Sequence, residues 1–299
     1  MPKIVRRLLL LALGLYLLPL IVLCGFQRLL VFNAPHSRKT TEDARLSGVG
    51  PPPGAMQVSL RTGAGNSVAA YYGHALSADG QPDRDFPHRP TLLFFYGKGS
   101  SLAGGRELFQ SLRRQSINIL MPDYVGFGLS GGSESEANCF ATATACYKYL
   151  RAQLDINQKT LVIAGFSLGS GVAVDLAAQE SQAGEPVAGL ALFAAYTSMA
   201  DEAHQKYPLY PVPLLRRLLK YPFNSESKIP RVKCPVLIVH SRADRLIPFS
   251  MSDRIAAVSG GPVTRVMLLN ADHAEYFTRD GPTLYPALKQ FLQGVSKQR

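Results

Sequence analysis

The feature that most constrains this chain is a series of short, continuously apolar runs separated by segments of helical pattern. The runs are Thr91–Tyr96, Ile117–Met121, Thr160–Ala164, Gly189–Ala194, Pro235–His240 and Val263–Leu269. Each has the length of a strand. Between most of them lie helix candidates, Gly105–Gln115, Ala137–Leu154, Leu168–Gln179 and Met251–Val258, and Thr283–Gln293 closes the chain. Strands apolar on both faces belong to a parallel sheet with helices on both sides. Met56–Arg61 and Ser67–His74 read as an opening pair of strands after the turn Pro51-Pro-Pro-Gly54. The expected fold is a doubly wound, mostly parallel α/β domain over 55–299. The stretch 201–231, rich in proline and tyrosine, is too long for a plain connection and is expected as a small cap insertion above the strand ends.

The N-terminus has a different character. Lys3, Arg6 and Arg7 precede Leu8–Phe26, nineteen residues without a charge. As a helix this run is roughly 28 Å long, enough to cross a hydrocarbon core. A cleaved signal peptide is the alternative, but its apolar region is shorter and ends in small residues. Here no Ala-x-Ala follows, and bulky Leu23 precedes Cys24 where a lipoprotein signal has a small residue. The reading is an anchor over 1–35 and a linker over 36–54. The basic residues on the short side place the N-terminus in the cytoplasm and the domain on the exported side, the periplasm in a Gram-negative cell.

The net charge is +11; Lys3, Arg6, Arg7 and Arg28 supply four of it, leaving +7 for the rest. A mildly basic domain beside a membrane suits an anionic lipid surface. No basic stripe interleaved with aromatics is present, so nucleic acid is not expected as a partner. The four cysteines, Cys24, Cys139, Cys146 and Cys234, do not have zinc-site spacing. On one helix Cys139 and Cys146 would stand about 10 Å apart, too far for a disulfide. Buried free thiols are expected, and no metal or cofactor is implied.

The chemistry lies in Gly165-Phe-Ser167-Leu-Gly169, which follows the run Thr160–Ala164 and opens the helix at Leu168. This is the strand–turn–helix context that Gly-x-Ser-x-Gly requires. The turn lifts a nucleophilic serine above the sheet and aims the Leu168 amide at a developing oxyanion. The motif alone arises by chance in on the order of one chain in ten. Gly128-Leu-Ser130-Gly-Gly132 matches it too, but without a strand directly before it or an apolar helix after it, and reads as a glycine-rich loop.

The acid and base follow in the order the chemistry needs. Asp244 comes after the run Pro235–His240, and His273 after Val263–Leu269, each just past a strand's C-terminal end. His273 would move the serine proton and Asp244 would orient it. Asp272 neighbours His273 but is the wrong acid by chain order, and His240 reads as structural. The second oxyanion donor is expected at the Lys98 amide, in the loop Tyr96-Gly97-Lys98-Gly99-Ser100.

These residues resemble the α/β-hydrolase superfamily, and within it the membrane-anchored, bud-emergence-type hydrolases that include protein depalmitoylases. The resemblance also rests on Arg28-Leu-Leu-Val-Phe-Asn-Ala-Pro35, Asp123-Tyr-Val-Gly-Phe-Gly-Leu-Ser130, Ala195-Tyr-Thr-Ser-Met199, Lys228–Pro235 and Ala243-Asp244. It implies cofactor-free hydrolysis of an ester, thioester or amide, with a lipid or lipidated protein as acyl donor. Where the family commonly has His-Gly-Asn, this chain has Tyr96-Gly97-Lys98. Hydrolysis of a carboxylic ester or thioester is the first reading. A peptidase or aminopeptidase is the second, with no clear acidic pocket for a substrate amine. A catalytically inactive lipid- or partner-binding protein is the third, supported only by Tyr96 and Lys98.

Overall fold

The structure, a computed structural model, describes residues 2–34 and 50–297. Pro35 and most of the expected linker lie outside the described residues. Eight strands form one sheet: β1 (Ala55–Arg61), β2 (Ser67–Gly73), β3 (Thr91–Phe95), β4 (Asn118–Pro122), β5 (Leu161–Phe166), β6 (Gly189–Phe193), β7 (Val236–Ser241) and β8 (Val263–Leu268). Their order is β1-β2-β4-β3-β5-β6-β7-β8. β1 and β2 form an antiparallel pair, β2 runs antiparallel to β4, and every other pairing is parallel. This is the α/β-hydrolase fold. β3, β4, β6 and β7 are buried along their whole length, as runs apolar on both faces require. β8 departs from that expectation: only Leu268 is buried, because β8 is an edge strand and Thr264, Arg265 and Met267 face solvent.

Helices α3 (Arg106–Arg113), α4 (Glu136–Ala152), α5 (Leu168–Gln182), α8 (Phe249–Ala257) and α9 (Gly281–Lys297) flank the sheet. α5 packs on β3, β5 and β6, and every residue from Leu168 to Ala178 is buried. It is the rigid support under the serine turn.

Two helices occupy the cap stretch, α6 (Met199–Lys206) and α7 (Val212–Leu218). Sequence periodicity predicts a cap helix over 214–221. The structure starts it two residues earlier and ends it at Leu218. Leu219 is already extended, and the Lys220 amide donates to Gln27 Oε1 at 2.7 Å instead of to a helix carbonyl.

At the N-terminus stand α1 (Lys3–Gly25) and α2 (Gln27–Phe32). α1 has a mean hydropathy of 2.6 and is long and apolar enough to cross a membrane. Its residues up to Leu15 are exposed, whereas Tyr16, Leu20 and Leu23 pack on Ala200, Tyr210 and Leu215 of the cap. α2 does not stand off from the domain. Phe32 is fully buried against Phe127, Tyr221 and Phe223. Arg28 bonds Glu134 through both carboxylate oxygens, at 2.8 and 3.0 Å.

Candidate active site

Ser167 sits between β5 and α5 with φ 53° and ψ −120°, a conformation that costs a non-glycine residue on the order of 1–3 kcal/mol. Its surroundings enforce it. A Cβ at Gly165 would lie 2.0 Å from the Gly169 carbonyl oxygen, and one at Gly169 would lie 2.0 Å from that of Phe95. The two glycines let β5, the turn and α5 close on one another. The Ser167 amide donates to Phe193 O at 2.9 Å, tying the turn to β6.

The expected partners converge on it. His273 Nε2 is 3.0 Å from Ser167 Oγ, and His273 Nδ1 is 2.8 Å from Asp244 Oδ2. An ionised carboxylate only accepts, so Nδ1 carries the hydrogen and Nε2 is left to accept the serine hydroxyl. Burial pushes the Asp244 pKa up, but bonds from His273 and from the Ile247 and Leu246 amides outweigh this and hold it below the ordinary range. Asp244 is therefore charged at neutral pH and can stabilise an imidazolium.

Asp272 accepts the His273 amide at 2.8 Å and pairs with Arg245, whose bonds hold its pKa low. It caps the His273 turn and takes no bond from the His273 ring. His240 is buried, with Nε2 2.9 Å from Ile247 O; burial lowers its pKa.

The amides of Lys98 and Leu168 donate to no acceptor among the described residues. Gly97 brings the first against the serine: a Cβ there would stand 3.1 Å from Ser167 Cβ. The Lys98 ammonium turns to Leu30 O at 3.3 Å; burial lowers its pKa, with Glu202 opposing that shift and Lys206 adding to it. Tyr96 points the other way. Its hydroxyl donates at 2.6 Å to Asp123 Oδ1, which also accepts from the Leu102 amide at 2.8 Å. Both unusual residues of this loop thus have partners within the fold. The second serine motif is used up structurally, since Ser130 Oγ donates to Asp123 O and accepts from the Ala69 amide.

A cavity of about 970 Å³, counting its open mouth, rises from Ser167. Leu215, Leu218 and Leu219 of the cap stretch line it, as do Leu20, Leu23 and Cys24 of α1. Sequence reasoning missed the α1 wall. The available signal was the spacing of Tyr16, Leu20, Leu23 and Gln27, one helical face ending in a polar residue. It also missed Tyr276, buried three residues after His273, whose hydroxyl donates to Asp244 Oδ2 at 2.9 Å.

The sequence profile of the α/β hydrolase fold matches residues 90–211. An uncharacterized protein of Mycobacterium tuberculosis is 32% identical over 212 residues, which cover 69% of this chain and 73% of that one. The chain belongs to the α/β-hydrolase superfamily, and its class is a hydrolase. The lysophosphatidylserine lipase of Danio rerio is 28% identical over 182 residues, 56% of this chain and 46% of the lipase. Among solved structures, a Pyrococcus furiosus esterase superposes with a TM-score of 0.64 at 15% identity, over 88% of this chain and 99% of the esterase.

Proposed function

We propose that the chain is a serine hydrolase that cleaves a carboxylic ester or thioester through an acyl-enzyme on Ser167. The observation that carries this is the continuous relay from Ser167 Oγ through His273 to Asp244 at the foot of an apolar cavity. Ser167 Oγ attacks the acyl carbonyl carbon while His273 Nε2 takes its proton. The carbonyl oxygen gains the negative charge and meets the amides of Lys98 and Leu168. As the tetrahedral intermediate collapses, the bond to the leaving group breaks and His273 returns the proton to it. Water then repeats the attack on the acyl-enzyme and frees the acid. The apolar lining suits an acyl chain, and the name of the Danio rerio lipase supports a lipid substrate. Glu202, the acid in the cavity wall, is 3.6 Å from Lys206, so a substrate amine meets no free carboxylate there and the peptidase reading gains nothing.

A fluorophosphonate probe is expected to label the wild type and not Ser167→Ala, with ester turnover down by about 10⁴-fold. Equal labelling of both would remove Ser167 from the chemistry. We infer further that α1 crosses the membrane with the domain on the exported side, on the strength of its apolar length and of the basic Lys3, Arg6 and Arg7 before the apolar run. A reporter active only outside the cytoplasm, fused after Arg299, should be active; a stable but silent fusion reverses the topology.

A further inference from the structure

We propose that α1 is a wall of the acyl cavity as well as a tether. The cap lies in the same leaflet as α1's second half, so the chain of a bilayer-resident ester or thioester passes sideways into the site. This rests on the acyl-enzyme reading above.

The uncharged run Leu8–Phe26 is just long enough to span. Tyr16 lies ten residues before its end, about 15 Å down the axis. Yet Tyr16 already touches the cap: its ring centroid is 5.1 Å from that of Tyr210, whose hydroxyl donates to Tyr16 O at 2.9 Å. Leu20 packs with Leu215 one turn on, and Gln27 donates to Leu218 O at 3.0 Å. The cap stretch Tyr210–Leu218 therefore follows the chain from Tyr16 in α1 to Gln27 at the start of α2. If the cap stood clear of the membrane, only Leu8–Leu15 would remain inside, about 12 Å of helix and far too short.

The cap segment has the composition this depth demands. Tyr207–Leu215 carries no charge, and Leu209 is 68% exposed. Three of its nine positions, Pro208, Pro211 and Pro213, have no N–H to leave unpaired in lipid. The amides of Tyr207, Tyr210, Leu214 and Leu215 are bonded to nearby carbonyls. Lys206, paired with Glu202, stands just before this segment, and charge returns after it at Arg216, Arg217 and Lys220, toward the end of α7 that meets Gln27 at the close of the apolar run. The cavity lies between these helices, so its walls on that side are α1 and α7.

The chain contains no tryptophan, so one introduced tryptophan reports alone. Full-length Leu209→Trp and Glu185→Trp, the latter exposed beyond the opposite edge of the sheet, are placed in vesicles of phosphatidylcholine brominated mid-chain. Strong quenching of Leu209→Trp and little of Glu185→Trp is expected. Equally weak quenching of both would overturn the sunken cap. In the same membranes, the ratio of p-nitrophenyl palmitate to butyrate turnover should fall about tenfold in Leu23→Trp. It should stay at the wild-type value in Ile21→Trp, whose side chain faces away. Leu23→Ala, which widens the cavity, should shift the ratio the other way. An unchanged ratio in both Leu23 variants, each verified as folded by fluorophosphonate labelling, removes α1 from the wall. Absence of labelling in the wild type would instead sink the acyl-enzyme, while the quenching result still decides the position of the cap.

Discussion

The Tyr276 hydroxyl donates to Asp244 Oδ2 at 2.9 Å, on the oxygen that also receives His273 Nδ1 at 2.8 Å. The same hydroxyl accepts the Ser241 amide at 2.9 Å, so one side chain links the end of β7 to the acid. In the proposed mechanism Tyr276 touches no reacting atom; it positions the carboxylate that positions the imidazole. Tyr276→Phe keeps the ring and removes both bonds. We expect kcat for a soluble ester to fall about tenfold with KM nearly unchanged. Stability should fall by roughly 1–3 kcal/mol, because the buried Ser241 amide loses its acceptor. A KM effect as large as the kcat effect would argue against a positioning role.

Asp123 behaves oppositely to Asp244. Burial pushes its pKa up to about 6, although Tyr96 and the amides of Leu129 and Leu102 donate to it. In the unfolded chain a carboxyl group titrates near pH 3.9. Between those values the folded state holds the extra proton, so stability rises as pH falls through 6 and levels off below about 4. The gain from pH 7 to pH 5 is about 1 kcal/mol, out of about 3 kcal/mol over the whole range. Asp123→Asn cannot titrate and should lose this increment. Melting temperatures at pH 7 and pH 5 test it: the wild type should improve relative to the variant on acidification. Parallel pH responses would mean that burial does not raise the Asp123 pKa and that the carboxylate stays charged in the fold at pH 5 as at pH 7.

The strands of the sheet were legible because β3 to β7 are buried on both faces, and burial leaves an apolar run in the sequence. The contact of Ser167, Asp244 and His273 was legible for a related reason. Parallel topology brings strand ends to one edge, so residues just past those ends become neighbours. β8 was misread as buried because strand length and β-branched content do not distinguish an edge strand from a central one. The cap helix ended early because a side chain from far away, Gln27, captured its next amide; no local signal encodes that. Tyr276 and the α1 wall are contacts between distant segments, set by packing rather than by periodicity. In α1 the exposed apolar residues and those that meet the cap are of the same kind. Only the polar Gln27 hints which face is covered.

The stretch at and just beyond the end of α7 is basic. Arg216 is 3.8 Å from Asp201 and so is partly neutralised. Arg217 and Lys220 are exposed and meet no carboxylate among the described residues. In the proposed arrangement they stand at the headgroup level beside Gln27, where each basic residue gains about 1 kcal/mol from an anionic surface. Arg217→Glu with Lys220→Glu reverses that attraction and repels the cap from anionic headgroups. Gln27 bonds the Lys220 backbone rather than its side chain, so the helix end should keep its fold. Turnover of p-nitrophenyl palmitate in anionic vesicles should fall at least tenfold in the double variant. Turnover in zwitterionic vesicles, and of butyrate in detergent, should change by less than about twofold. Raising the salt concentration should bring the wild type down toward the variant on anionic vesicles, because the attraction is screened within about 10 Å at 0.1 M. If the double variant works equally well on anionic vesicles at low salt, these two residues do not face the headgroups, and the cap is held in place by α1 alone.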